Sequence, residues 1–450
     1  MKGEKSRLAD LGSAQPRLKA CVLTWGCQLN QHHSEELVGV LKRAGYEIVS
    51  RPEEADVVLL NTCMVRQRAE DKVVGRVGEL ARLRRRGTLI GVGGCMAQGR
   101  KEELFELCPE IDFAFGTSGW DRLPELIAQA RAGHRPTYFP SPQGWEELPV
   151  SRQSRFKAYV TIAEGCSHAC AYCIVPLVRG PFRSRPLPRI MAELRELAQA
   201  GYQEVTLLGQ NVDAYGTDLP GGPNFAHLLE EVASIPIPRI RFTSSHPAYL
   251  TEDTIAAIAA GDNICEHVHL AVQSGSDRVL ARMRRGYTRE EFLEIVAALR
   301  RRVPGVNITT DVIVGFPGET EADFQATLDL IEQAEFGTVY VAAYSPRPGT
   351  QAARLPDDVP PEEKKRRLEE VLALSRRIAL RLHQARVGSV VEVLVEGFLP
   401  EKGLYFGKTR DFRTVLLPGE ESLVGKLVQV RVEQASPGAL RGEVVKEKVA

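Results

Sequence analysis

The sequence predicts an α/β protein in three parts: an N-terminal domain with a doubly wound parallel sheet, a central partial (β/α)6 barrel and a small C-terminal β-barrel. Three observations predict this. Apolar, β-branched runs alternate with amphipathic helical patterns as far as residue 133; six further strand-like runs, each trailed by a helical pattern, fill the middle; and the residues after 387 show short alternating strands separated by glycine and proline turns.

The opening residues, 1–17, carry neither period and read as a disordered tail; they also lack the apolar centre of a secretory signal. Over 18–133, "ACVLTWG", "ADVVLLNTC" and "TLIGVGGC" read as buried parallel strands, separated by the helical "SEELVGVLKRAGYE" and "AEDKVVGRVGELARLRRR". Open sheets of this kind bind ligands beyond the carboxyl ends of their strands. Cys27, Cys63 and Cys95 each stand at that edge, and their separations of 36 and 32 residues match one strand-plus-helix repeat. The fold is therefore expected to bring three distant thiols together.

Residues 134–154 are proline-rich, lack either period and read as an interdomain linker. The central domain, 155–386, carries "KAYVTIAEGC", "EVTLLGQN", "RIRFTSSHP", "EHVHLAVQSG", "NITTDVIVGFPG" and "TVYVAAYSP" as its six strands. A long helix from Pro361, with proline first and acids in its opening turn, leads into the terminal barrel, 387–450.

A second triplet, Cys166, Cys170 and Cys173 in "GCSHACAYC", follows the first barrel strand and so lies where barrel enzymes carry their chemistry. Zinc favours paired C-x-x-C units that supply four ligands. Three thiols suit instead an iron–sulfur cluster with one iron left open, since a cubane is normally held by four thiolates. Cys21, Cys108 and Cys265 sit in apolar or helical contexts and read as buried thiols. His246, His267 and His269 read as satisfied structural histidines, and there is no G-x-G-x-x-G or P-loop pattern.

Charge is balanced, with 58 lysines and arginines against 58 acids, so the whole molecule is not a polyanion binder, although a local basic face remains open. No apolar run approaches the ~20 residues a membrane helix needs. Nine cysteines in such a chain suit thiolate ligands in a reducing compartment better than disulfides. A cytoplasmic monomer without a membrane partner is expected.

"CSHACAYC" on the first strand of a partial barrel resembles the signature of the radical S-adenosylmethionine superfamily. The dispersed triplet in "GCQLN", "NTCMVR" and "GGCMAQ", with "CIVPLVRGPFRSR", "VHLAVQSGS", "RMRRGYTRE", "TDVIVGFPGET" and "YSPRPGT", narrows the resemblance to its methylthiotransferases, and the C-terminal barrel is similar to their TRAM RNA-binding module. The resemblance implies two [4Fe–4S] clusters: an auxiliary one on Cys27, Cys63 and Cys95, and a catalytic one on Cys166, Cys170 and Cys173 whose open iron binds S-adenosyl-L-methionine. Gln28 and Asn30 after Cys27 resemble the branch that modifies prenylated tRNA adenosine.

That branch implies a transferase adding a methylthio group to C2 of N6-(dimethylallyl)adenosine, next to the anticodon, from two S-adenosylmethionine molecules. One methylates a sulfur on the auxiliary cluster; the other yields the radical that abstracts the C2 hydrogen. The alternatives are a methylthiotransferase for threonylcarbamoyladenosine or for a ribosomal-protein aspartate, and a non-catalytic iron–sulfur RNA-binding protein, which has no reason to omit a fourth ligand twice. The implied partners are the tRNA anticodon stem-loop, an electron donor such as flavodoxin or ferredoxin, and iron–sulfur assembly or sulfur-delivery proteins.

Strand-end positions nominate Gly209, Gln210, Asn211, Gln273, Ser274 and Gly315 for the S-adenosylmethionine pocket. Arg179, Arg183 and Arg185, directly after the second triplet, are the basic residues best placed to hold RNA phosphates, with Phe182 among them either stacking on a base or packing in the core. Three departures from the family pattern stand out: His33 where aspartate is usual, Leu29 where methionine is commoner, and Leu177–Val178 where a tyrosine–threonine pair is frequent.

Overall fold

The computed structural model describes residues 17–65, 67–85, 87–419 and 423–445, so the expected tail, Arg17 apart, lies outside the described residues. Six parallel strands build the N-terminal sheet: β1 (Lys19–Thr24), β2 (Glu47–Ile48), β3 (Val57–Thr62), β4 (Leu89–Gly94), β5 (Phe113–Phe115) and β6 (Thr137–Tyr138). Their order, β2-β1-β3-β4-β5-β6, reverses direction between β1 and β3, which is the crevice where doubly wound sheets bind ligands. Helices cover both faces, so β3 and β4 are buried at every position. Strands β2, β5 and β6 escaped the sequence reading because two or three residues cannot display a period.

Residues 134–154 are not a loose linker. Thr137 and Tyr138 add the edge strand β6, Ser151 N–H donates to the Glu35 carbonyl, and Arg152 reaches both Glu35 and Glu193 from between the two domains. Proline denies the segment most of a hydrogen-bond ladder, but side-chain contacts fix it all the same.

The central strands are β7 (Lys157–Thr161), a short antiparallel ribbon of β8 (Ala163–Glu164) and β9 (Arg183–Ser184), then β10 (Glu204–Leu208), β11 (Arg239–Phe242), β12 (His267–His269), β13 (Asn307–Val314) and β14 (Thr338–Ala343). They form two parallel sheets, β11-β10-β7 and β12-β13-β14, joined only by single bridges at Ile240–Ile264 and Ser245–Leu270. The result is the expected six-stranded open barrel. Its core runs from Val160 and Leu207 inside to Phe292 and Leu330 on the helices.

The helix Pro361–Gln384 leads to a closed barrel of β15 (Val390–Leu399), β16 (Leu404–Thr409), β17 (Thr414–Leu417), β18 (Leu427–Ala435) and β19 (Leu440–Val444). The turn between β16 and β17 plugs the base of the central barrel, at the amino ends of its strands. Arg239, fully buried, donates to Glu392 and to the Lys408 carbonyl, while Arg241 donates to Glu204 at 2.8 Å and to the carbonyls of Thr409 and Arg410. His267 stacks on Phe412 at 4.6 Å, and Asn307 Nδ2 bonds the Asp411 carbonyl at 2.7 Å. Among the described residues, no helix is long and apolar enough to cross a membrane.

Removing Arg241 would leave the Glu204 carboxylate buried beside Arg239 alone, which stands 3.9 Å away. Breaking one side of a buried pair costs about 3–5 kcal/mol. Arg241→Ala is expected to lose stability on that scale, read as a lowered urea midpoint.

Candidate active site

The dispersed triplet sits where adjacent strands end. Cys27 caps the helix Gln28–Arg43 after β1, Cys63 follows β3, and Cys95 opens the helix Cys95–Arg100 after β4. Two glycines let these loops close on one another: at Gly26 (φ +130) a Cβ would lie 2.8 Å from that of Cys63, and at Gly94 (φ +89) one would lie 2.7 Å from the Thr62 carbonyl oxygen. Cys63 and Cys95 are buried and Cys27 is exposed. Burial, reinforced by the neighbouring Cys95, pushes the Cys63 thiol up to about 12.

The compact triplet lies on the loop between β8 and the helix Val175–Arg179, pinned by Cys166 N–H to the Gly180 carbonyl and Ala171 N–H to the Met283 carbonyl. Burial, then the nearby Cys170, pushes Cys173 up to about 12. Burial opposes ionisation of Cys170 as well, but His168 and Arg285 outweigh it, and its thiol falls below the ordinary value. Arg285 donates to Cys170 Sγ at 3.3 Å. In each triplet the nearby sulfurs add to the burial that raises Cys63 and Cys173. A cationic metal core is what such a donor set lacks, so the residues fit a cluster at each place.

His168 and His246 bring one ring nitrogen each within 4.8 Å of Cys170 Sγ and of each other. They are not a mononuclear metal site. His246 Nδ1 accepts the Ala248 N–H, so its proton resides on Nε2, which is buried without a partner and presents a donor rather than a lone pair. The expectation of a satisfied structural histidine therefore fails for His246. It holds for His267, bonded to Thr309 at 3.0 Å, and for His269, bonded to Thr309 and Asp311.

A cavity of 530 Å³ opens between the two triplets, lined by Tyr172 and Cys173 from the compact loop, by Gln273, Ile313, Tyr340 and Tyr344 from the barrel, and by Val65 and Gln67 from the N-terminal domain just past Cys63. Of the nominated cofactor residues, Gln273 lines this cavity. Gln210 Oε1 and Asn211 Oδ1 are buried acceptors with no protein partner, as a polar ligand group would require. Ser274 is turned away, fully buried against Thr327. Gly315 makes a turn beside Lys364, its N–H taken by Glu319, and Gly209 lies against Ala163.

The nominated phosphate contacts are overturned for two arginines. Arg179 is 2% exposed with its donors on Cys95, His33 and Asn30, and Arg185 is 8% exposed and paired with Glu147 and Glu193. Arg183 is half-buried against Glu164, and Phe182 packs in the barrel core rather than on a base. A buried guanidinium satisfied by protein acceptors has nothing left for phosphate. The sequence reading gave neither Arg285 nor Glu164 a role at the thiols, because no local signal separates them from solvent-facing charges.

An open six-stranded parallel barrel with three thiols on the loop after its first strand is the architecture of the radical S-adenosylmethionine enzymes, and the model of that superfamily matches residues 160–331. The uncharacterized protein family UPF0004 matches residues 19–116 and the TRAM domain residues 384–445. Among solved structures, the radical S-adenosylmethionine methyltransferase TsrM from Kitasatospora setae aligns with a TM-score of 0.57 at 15% identity, over 75% of this chain and 74% of that one, which is a likeness of fold. The tRNA-2-methylthio-N(6)-dimethylallyladenosine synthase of Moorella thermoacetica is 47% identical over 435 residues, 94% of this chain and 98% of that protein. That of Acidovorax sp. is 44% identical over 440 residues, 96% and 98% respectively. The chain belongs to the tRNA-2-methylthio-N(6)-dimethylallyladenosine synthase family.

Asp213, beside this site, carries a pH signature. It accepts the His246 N–H at 2.8 Å and the Ser245 hydroxyl at 3.2 Å, yet burial dominates and pushes its carboxyl up to about 7. From about pH 4, where the unfolded carboxyl releases its proton, to about pH 7, the folded state holds a proton that the unfolded chain has lost, so stability falls as pH rises. Asp213→Asn is expected to flatten that decline, measured as urea midpoints across the same range.

Proposed function

We propose that this chain adds a methylthio group to C2 of N6-(dimethylallyl)adenosine next to the anticodon of tRNA. The observation that carries the reading is the single cavity touched by the loops of both cysteine triplets. Two [4Fe–4S] clusters with S-adenosylmethionine supply the sulfur, the methyl group and the radical removal of an aromatic hydrogen that acid–base chemistry cannot abstract at neutral pH. Cys27, Cys63 and Cys95 are assigned to the auxiliary cluster, and Cys166, Cys170 and Cys173 to the cluster that binds S-adenosylmethionine.

The protein's own part is positioning. Gln210 and Asn211 offer carbonyl oxygens to the ammonium of S-adenosylmethionine, and their lack of protein partners supports that role. Val65, Ile313, Tyr340 and Val341 give the cavity an apolar wall suited to a dimethylallyl group. On the terminal barrel, Phe398, 45% exposed, lies 4.8 Å from the Tyr405 ring and offers a surface for stacking nucleotides. Flavodoxin or ferredoxin would deliver electrons and a sulfur-delivery protein would restore the auxiliary cluster, all in the cytoplasm where tRNA is modified.

The test is anaerobic reconstitution and turnover on prenylated tRNA, comparing the wild type with Cys63→Ala and Cys170→Ala. Both variants are expected to lose methylthiolation by more than about 100-fold, beyond the 10–100-fold of a lost supporting partner. Only Cys170→Ala should also abolish 5′-deoxyadenosine formation. A fully active Cys63→Ala would refute the auxiliary assignment.

A further inference from the structure

Arg179 is carried by the central barrel, six residues past Cys173, yet its side chain belongs to the N-terminal thiols. Nε donates to Cys95 Sγ at 3.2 Å, Nη1 to His33 Nδ1 at 2.9 Å and Nη2 to Asn30 Oδ1 at 3.0 Å. Both supporting residues are locked. Asn30 Nδ2 is spent on the carbonyls of Trp25 and Thr62, which fixes Oδ1 toward the guanidinium. His33 is fully buried, its ring held edge-on to Trp120 at 4.8 Å, and because Nδ1 accepts from Arg179, Nε2 carries the proton and donates to Glu164 Oε1 at 2.7 Å. The other Glu164 oxygen takes Arg183 at 3.2 Å.

The chemistry of the three acceptors is the decisive point. A buried guanidinium is costly to desolvate and normally meets a carboxylate. Here the direct partners are an amide oxygen, a neutral imidazole nitrogen and a sulfur, and only the sulfur can carry negative charge. The nearest carboxylate, Glu164, is one residue removed, behind His33. Among its direct partners, the counter-ion open to Arg179 is therefore Cys95, once that thiol is ionised as a ligand. Hydrogen bonds and net charge at ligand sulfurs set the potential of an iron–sulfur cluster, and a buried charge acts there with little screening.

We propose that Arg179, aimed by Asn30 and His33, is a positioning residue that raises the reduction potential of the auxiliary cluster through its hydrogen bond to Cys95. The proposal rests on the assignment of Cys27, Cys63 and Cys95 to that cluster. It also gives His33 a purpose: a neutral acceptor orients the guanidinium without neutralising it, whereas a carboxylate at this position would share the charge with the sulfur.

The experiment is an anaerobic redox titration of the fully loaded enzyme, following both clusters by electron paramagnetic resonance. Arg179→Met is expected to lower the auxiliary potential by at least a tenfold change in the reduction equilibrium, about 59 mV for one electron, while the S-adenosylmethionine cluster stays where it is. Arg179→Lys should recover part of the shift, and His33→Asp should move the auxiliary potential the same way by less. An unchanged auxiliary potential in loaded Arg179→Met overturns the proposal. Should that variant fail to hold its cluster, an unchanged potential in His33→Asp overturns it instead. A wild type whose iron content accounts for one cluster refutes the cluster assignment itself, a separate outcome from two clusters with an unmoved potential.

Discussion

Parallel strands place all their carboxyl ends on one side, and in this chain two parallel systems are pressed together so that those ends share a cavity. The contact that holds them is the helix Val175–Arg179, which leaves the compact cysteine loop and seats Ile174 and Val178 in the N-terminal core among Met64, Cys95 and Met96. Thr117 Oγ1 donates to the Val178 carbonyl at 2.7 Å and fixes the depth of that insertion. This seating brings Val65 and Gln67 to the cavity wall opposite Tyr172 and carries Arg179 to Cys95. Arg152, between Glu35 and Glu193, and the His33–Glu164 contact tie the same two domains together.

The opposite end of the barrel is built from the same residue type used differently. Arg239 and Arg241 are buried at the amino ends of their strands, and their acceptors are the carboxylates and carbonyls that bind the terminal barrel as a plug. At the carboxyl ends, Arg179 and Arg285 are also buried, but each donates to one sulfur, Cys95 and Cys170 respectively. Stability is concentrated at the base and reactivity at the top, the usual division in barrels of this kind. One guanidinium per triplet also means that each group of three thiols is met by a fixed positive charge.

The longer strands and the positions of the six cysteines were legible because their signals are local. A β-branched run reads as a buried strand wherever it folds, and a thiol at the end of such a run must lie at the sheet edge. Side-chain partnership is not local. Arg179, Arg183 and Arg185 look alike in sequence, yet tertiary contacts send the first to a sulfur and the third to Glu147 and Glu193. Residues 134–154 looked like a linker because packing through Arg152 and the Glu35 carbonyl leaves no periodic trace. His246 could not be told from its satisfied neighbours, since only the Ala248 N–H reveals where its proton lies.

Two of the three departures from the family pattern, His33 and Leu177–Val178, lie at the seam between domains, and the structure explains why. Val178, in place of threonine, is buried in the N-terminal core, where a methyl serves better than a hydroxyl in need of a partner. Leu177 beside it is 55% exposed and carries no such constraint. His33 meets its two neighbours by accepting from Arg179 and donating to Glu164, and aspartate could satisfy the first but, when ionised, not the second. A thiolate that binds iron has no substitute of equal chemistry, whereas a seam asks only for matching volume and paired donors. A neutral imidazole at position 33 therefore keeps the acceptor for Arg179 and adds a donor for Glu164, and it does so without placing a second carboxylate beside Glu164.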